Sequence, residues 1–163
     1  MSLSPFSRPA HGQAAAVRVH AQAGQIRVLV VSAEPRRIAP WCQAIQKRFA
    51  VTVAHDAAPG YSVAHGSFPH VVVIDAGDPA LDALALCRRL RADRSALPIL
   101  LIDQAGSLEG LLAAFDSGAD AFLRGPIDAP ELLAVIGALA RRRSADGPRQ
   151  AGYPATALFT QEA

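Results

Sequence analysis

Acidic side chains follow three of the apolar runs in this sequence. Asp75 comes directly after residues 71–74, Asp103 follows residues 98–102, and Glu34 lies shortly after residues 28–31. Carboxylate oxygens are the ligands that hard divalent cations prefer. If the fold brings these three side chains together, they could therefore bind a metal ion.

Other patterns give no indication of an enzyme. Ser32 has no histidine and acid partner in its sequence context that would activate it as a nucleophile, and no G-x-x-x-x-G-K phosphate loop occurs. The histidines lack metal-ligand spacing. Two cysteines, Cys42 and Cys87, are too few for a disulfide framework. Reduced thiols favour a cytoplasmic location.

The composition predicts one globular domain. The chain has 163 residues, of which 51% are hydrophobic, enough for a full core but too few for two ordinary domains. With 16 basic and 14 acidic residues, the net charge is only +2, which argues against a dedicated nucleic-acid binder. No apolar stretch approaches the roughly 18–20 residues needed to cross a bilayer. We therefore expect neither nucleic acid nor a membrane as a partner.

Strand and helix patterns alternate over residues 25–143, between tails at residues 1–24 and 144–163 that are predicted to be flexible. Strands are predicted at residues 25–31, 51–55, 70–75, 98–102 and 121–123. Helices are predicted at residues 38–49, 57–66, 82–91, 107–117 and 130–143, with Pro40 in the first turn of the first helix. Because parallel strands need crossover connections, this pattern predicts an α/β fold, a doubly wound parallel sheet. Functional groups gather beyond the carboxyl ends of such strands.

The motifs resemble, in their order and spacing, the receiver domain of two-component response regulators over about residues 26–143. They are residues 28–31 with Glu34-Pro35, Asp75, Pro79 with Asp82, residues 87–93, Pro98-Ile99, residues 118–123, Pro126, and Glu131-Leu132-Leu133. The resemblance implies a flavodoxin-like (βα)5 domain with strand order 2-1-3-4-5.

The resemblance also implies what the functional site contains. Receivers accept a phosphoryl group on an aspartate at the end of the third strand, and here that residue is Asp75. In the family a divalent cation is held by acids after the first strand, by the acceptor carboxylate and by a loop carbonyl. A lysine and a hydroxyl bind the phosphate, whose negative charge must be neutralised.

Most of these groups are replaced in this chain, which is why the resemblance implies a divergent, pseudo-receiver type. The positions of the two metal-binding acids hold Ser32 and Ala33, the hydroxyl position holds Asp103, the lysine position holds Gly125, and the switch aromatic is Phe122. A phosphate on Asp75 would lose its ammonium partner and face a second carboxylate, a repulsion of about a few kcal/mol. We therefore expect no metal cofactor and no phosphorylation by the usual metal-dependent route.

Two arrangements could rescue the site. Glu34 could bind a metal ion together with Asp75 and Asp103. Arg124 could replace the missing lysine, although side-chain alternation along the strand points it away from the pocket. Without either rescue, Asp75 and Asp103 are expected to crowd each other, which would raise the pKa of one of them.

The expected function is that of a stand-alone signalling module that binds other proteins, either a histidine kinase or another signalling protein. The basic residues around the first helix are expected to form a solvated face (Arg36, Arg37, Lys47, Arg48). The resemblance implies that helix 4, strand 5 and helix 5 can form a homodimer. The alternative is an active phosphoacceptor in a histidine-kinase phosphorelay, modified on Asp75 with an altered Mg²⁺ site.

Overall fold

A computed structural model describes residues 17–18, 24–94 and 96–145 of the chain. Its strands form one sheet in the order β1-β3-β2-β4-β5-β6. The strands are β1 (Val17–Arg18), β2 (Arg27–Val31), β3 (Ala50–Ala54), β4 (Val71–Asp75), β5 (Ile99–Asp103) and β6 (Ala121–Arg124). The helices are α1 (Pro35–Gln46), α2 (Ala57–Gly66), α3 (Ala83–Asp93), α4 (Leu108–Asp116) and α5 (Ala129–Ala145). Within the described residues, none of these helices is long and apolar enough to cross a membrane.

The predicted architecture is confirmed. The five strands β2 to β6 are parallel and alternate with the five helices, and their order corresponds to 2-1-3-4-5. Strand β1 pairs antiparallel with β3 at the sheet edge and was not predicted from the sequence. The two predicted tails otherwise fall almost entirely outside the described residues, except that α5 continues to Ala145.

Burial on both faces explains why the central strands are continuously apolar. Every residue of β4 is buried, and successive side chains alternate between two core layers. Val28, Val30, Val71 and Val73 pack against α1 and α5. The alternate residues of the same strands pack against α2, α3 and α4.

Helix α1 begins earlier than predicted, and Pro40 lies inside it rather than in its first turn. Pro35 supplies the first-turn proline instead, a position where its missing N–H is not needed. Pro40 leaves the carbonyl of Arg36 without its usual helical donor, but both residues are exposed, so water can satisfy that carbonyl. The earlier start places Arg37 in the first turn, at the carboxyl end of β2. The remaining predicted boundaries differ by about one to three residues.

Candidate functional site

The predicted site residues do meet at the carboxyl edge of the sheet. Asp75 is the last residue of β4 and pairs with Ile102 of β5, and Asp103 ends β5 opposite Arg124. Ser32 follows β2, the other neighbour of β4. The parallel register therefore brings three separate loops around the Asp75 carboxyl group.

Asp75 is 1% exposed, and both of its carboxylate oxygens are engaged. The hydroxyl of Ser32 donates a hydrogen bond to Oδ2 over 2.9 Å. The backbone N–H of Gly77 donates to Oδ1 over 3.2 Å. The guanidinium of Arg37 lies with its Nε 3.6 Å from Oδ2. The carboxylate is thus shielded from solvent by its own partners.

Arg37 is the site residue that the sequence analysis missed, because it was assigned to a solvated face. Its Nη1 donates a hydrogen bond of 2.6 Å to the carbonyl oxygen of Gly77, in the loop after Asp75. One guanidinium therefore contacts both the acceptor carboxylate and a loop carbonyl, two kinds of group that the family resemblance assigned to a cation. Pro35 could have indicated this role from the sequence, because a helix that begins at Pro35 has Arg37 in its first turn, near the carboxyl end of β2.

Gly77 leaves open the space in which these charges converge. A Cβ atom at this position would lie 3.1 Å from Asp103 Oδ1, 3.3 Å from Arg37 Nη1 and 3.6 Å from Asp75 Oδ1. The two carboxylates and the guanidinium therefore surround a single point. Asp103 Oδ1 also accepts a hydrogen bond of 3.0 Å from the N–H of Ala105. Within the described residues, the ion pair of Arg37 is with Asp75.

The pKa of Asp75 is raised above its ordinary value of 3.8, mainly because burial disfavours the charged form. The hydrogen bond from Ser32, the charge of Arg37 and the N–H of Gly77 act in the opposite direction. The acid that adds to the increase is Asp78. The predicted rise in pKa thus occurs at Asp75, but the acid that contributes to it is Asp78 rather than Asp103.

Asp78 ties two loops together. It is 3% exposed; its Oδ2 accepts a hydrogen bond of 2.8 Å from the N–H of Ala33, and its Oδ1 accepts one of 2.9 Å from the N–H of Ala80. Ala33, at the position of a family metal ligand, thus contributes only its backbone. Because both oxygens of Asp78 are occupied, this carboxylate fixes the loops rather than offering a free ligand.

The residues present do not fit a divalent cation. Magnesium requires near-octahedral oxygen ligands, whereas Arg37 lies between the Asp75 carboxylate and the Gly77 carbonyl. Glu34 is exposed, and no cluster of three His, Cys, Asp or Glu residues suited to a metal occurs in the described part of the chain. In this arrangement Glu34, Asp75 and Asp103 therefore do not form the cluster that the alternative metal site requires.

The positions around β6 retain the scaffold without the family's polar groups. Phe122 is 7% exposed and packs into the core layer that faces α4. Gly125 has a φ of +81°, and no atom lies within 4 Å of where its Cβ would be. Arg124 is exposed, as strand alternation predicted. None of the three supplies a cation to Asp75, so Arg37 alone has that role among the described residues.

Comparison with known proteins agrees with the fold. A family model described as the response regulator receiver domain matches residues 28–137. The response regulator MprA of Mycobacterium sp. (strain KMS) is 39% identical over 101 residues, which cover 61% of this chain and 44% of that protein. The transcriptional regulatory protein TcrA of Mycobacterium tuberculosis is 32% identical over 118 residues, covering 72% of this chain and 47% of that protein. The chain thus spans less than half the length of these curated relatives.

A solved structure supports the fold. The receiver domain protein (CheY-like) from Methanospirillum hungatei JF-1 superimposes with a TM-score of 0.70. The match covers 76% of this chain and 100% of that chain at 20% sequence identity. At 20% identity this similarity shows a common fold but gives no information about the functional site.

Proposed function

The chain belongs to the response regulator receiver domain family of two-component signalling, and we propose that it is a pseudo-receiver that works through protein contacts without metal-dependent phosphorylation of Asp75. Receiver domains are signalling domains, and the proposal assigns no catalytic step to this one. In this view the Asp75 pocket holds the surrounding loops in a single arrangement that a partner protein recognises.

One observation carries this proposal: the Asp75 carboxyl group is buried, and partners from within the chain already contact both of its oxygens. Asp75 is 1% exposed, and Ser32, Gly77 and Arg37 occupy its oxygens. An incoming phosphodonor would have to displace the guanidinium and break the hydrogen bond between Arg37 and the Gly77 carbonyl. Hydrogen bonds to charged groups contribute about 1.5–3 kcal/mol each, so this arrangement resists opening.

The alternative is an active phosphoacceptor in a histidine-kinase phosphorelay. Asp75 is retained at the end of β4, and Ser32 and Arg37 could donate hydrogen bonds to phosphoryl oxygens after a rearrangement. This alternative needs either an altered Mg²⁺ site or Arg37 itself to neutralise the phosphoryl group. The two hypotheses therefore differ in whether Asp75 reacts at all.

Intact-mass measurement after incubation with phosphoramidate and Mg²⁺ separates the two hypotheses. We expect no adduct on the wild-type chain or on the control Arg36→Ala, whose residue is exposed. The double variant Ala33→Asp/Arg37→Ala restores a carboxylate and removes the guanidinium, so it should gain an adduct that Asp75→Asn abolishes. Stoichiometric modification of wild-type Asp75 would overturn the proposal and favour the phosphorelay.

The partners that follow from this proposal are a histidine kinase or another signalling protein, in the cytoplasm, where unpaired Cys42 and Cys87 would stay reduced. A second copy of the chain is a further candidate. Leu108 and Leu112 of α4 are 63% and 57% exposed, and their spacing places them on one face of the helix. These leucines support homodimerisation through the surface formed by α4, β6 and α5.

A further inference from the structure

Three arginines from separate elements converge at the amino edge of the sheet, opposite Asp75. Arg27 opens β2, Arg94 follows α3, and Arg143 lies in the last turn of α5. All three contact the segment of residues 64–69, which ends α2 and leads into β4. The sequence analysis attached no role to this group, which we call the arginine cluster.

Backbone carbonyls anchor the arginine cluster. Arg27 Nη2 donates a hydrogen bond of 2.9 Å to the carbonyl of Phe68, and Arg143 Nη1 donates to the carbonyl of Pro69. Arg94 Nη1 donates a hydrogen bond of 2.9 Å to the carbonyl of Ala64. Because these acceptors are neutral, the hydrogen bonds fix the guanidinium groups without cancelling their charges.

Phe68 is held in an unusual conformation by the same group. Its φ is +49°, a region that a bulky residue rarely adopts, and its side chain is 55% exposed. The guanidinium of Arg94 lies 4.9 Å from the centre of its ring. The arginine cluster therefore presents an exposed aromatic ring next to positive charge.

Within the described residues, none of the three members of the arginine cluster forms an ion pair. A guanidinium has five N–H donors, and Arg27 Nε is buried without a hydrogen-bond partner. The pKa of Arg143 is lowered by burial and then by the charges of Arg94 and Arg27. Burial, followed by Arg27 and Arg143, likewise lowers the pKa of His70.

A cleft of about 230 Å³ opens between two members of the cluster. It is lined by Asp93, Arg94, Ala96, Leu97 and Arg143. The Asp93 carboxylate accepts a hydrogen bond from the hydroxyl of Tyr61 and lies 3.9 Å from His65 Nε2. The cleft is thus lined by two arginines, one acid and two apolar residues, so that the negative charge of Asp93 offsets part of the positive charge.

We propose that this cleft binds a phosphomonoester dianion, either free phosphate or a phosphate group carried by a small organic molecule. The planar guanidinium fork matches phosphate oxygens, with which it forms paired charge-assisted hydrogen bonds. Arg94 and Arg143, which each carry such a fork, both line the cleft. The remaining space, next to Leu97, can take a small organic group. This site lies at the edge opposite Asp75 and is independent of the phosphorylation question.

The test is a calorimetric titration of the intact protein with inorganic phosphate, glycerol 3-phosphate and adenosine 5′-monophosphate at constant low ionic strength. We expect Arg94→Ala and Arg143→Ala each to weaken binding by about tenfold or more, as loss of a charge-assisted hydrogen bond predicts. The controls Arg88→Ala and Arg124→Ala remove exposed arginines elsewhere and should change affinity by less than about twofold. Tightest binding of inorganic phosphate identifies the free ion as the ligand, whereas tighter binding of either ester identifies an organic phosphate.

Lysine variants keep the experiment informative if an alanine variant fails to fold. Arg94→Lys and Arg143→Lys retain the charge but lose the fork, so both should bind more weakly than the wild type and remain folded by circular dichroism. If none of the three probes binds at about 10 mM, a concentration far above ordinary ligand dissociation constants, the site is refuted. Equal losses in the control variants, or unchanged affinity in both lysine variants, would refute it as well.

Discussion

At the scale of single residues, burial and three polar partners act together on the Asp75 carboxyl group. A buried carboxylate without a partner would be strongly destabilising, and here the guanidinium, the Ser32 hydroxyl and the Gly77 N–H share that compensation. The compensation is incomplete, because the pKa of Asp75 remains raised by burial. Folding therefore favours the protonated form of Asp75 over the ionised form.

This difference predicts how Asp75→Asn changes the dependence of stability on pH. Since the folded-state pKa lies above the unfolded value of 3.8, ionisation of Asp75 lowers the free energy of unfolding as pH rises through that interval. The asparagine side chain does not ionise. The variant should therefore gain stability relative to the wild type as pH rises from about 3.8 through the folded-state pKa, and the gain should then level off. Urea unfolding across this range measures the difference.

Ser32→Ala provides the matched comparison for this prediction. It removes the hydroxyl hydrogen bond that lowers the pKa of Asp75, so in this background the gain from Asp75→Asn should extend to higher pH. A difference between wild type and Asp75→Asn that shrinks with rising pH would contradict the prediction. It would mean that Arg37 and the N–H donors outweigh burial.

At the scale of elements, close packing of α2 on β2 depends on one glycine. A Cβ at Gly60 would lie 2.9 Å from Val31 Cγ2, closer than real contacts allow. Val31 is β-branched and buried at the centre of the sheet, so it can move little. This explains why a residue that weakens the helix pattern lies in the middle of α2.

Gly60→Ala should therefore destabilise the protein by about 1–3 kcal/mol, the range for an overpacked core. Gly66→Ala is the control in the same helix, because no atom lies within 4 Å of its Cβ position. It should be neutral or stabilise by up to about 1 kcal/mol, since alanine favours helix more than glycine. Chemical denaturation compares the two variants. Equal effects would show that helix propensity, and not contact with β2, determines the result.

At the scale of the whole molecule, the sheet separates surfaces with different properties. The carboxyl edge holds the compensated Asp75 pocket, the amino edge holds the arginine cluster, and α4 presents Leu108 and Leu112 to solvent. Apolar residues of α4 that face the sheet, such as Leu111 and Phe115, pack into the core instead. The exposed leucine pair is thus additional to what the fold itself requires.

Self-association through α4 is the prediction at this scale. Light scattering should report a mass that rises with protein concentration, and Leu108→Gln/Leu112→Gln should weaken association by about tenfold or more, because a symmetric interface contains each leucine twice. The control Leu108→Met/Leu112→Met keeps the apolar surface and should preserve association. A monomeric mass at all concentrations would exclude the dimer.

The sequence by itself determined the fold and the positions of the site. Apolar strands such as β4 and alternating helices permit few topologies other than a doubly wound sheet, and the motif order identified Asp75 and its replaced neighbours Ala33, Asp103 and Gly125. These features are local in sequence, or follow from burial on both faces of a strand, and are therefore readable without coordinates.

Only the tertiary structure decided which cation faces Asp75 and which acid raises its pKa. Arg37 and Asp75 belong to different elements, α1 and β4, and the role of Arg37 depends on α1 beginning at Pro35 and on the space left by Gly77. Only the tertiary structure also brings the arginine cluster together, because its members lie at the start of β2, after the end of α3 and in the last turn of α5. Electrostatic interactions depend on distance and burial, and the linear order of residues fixes neither.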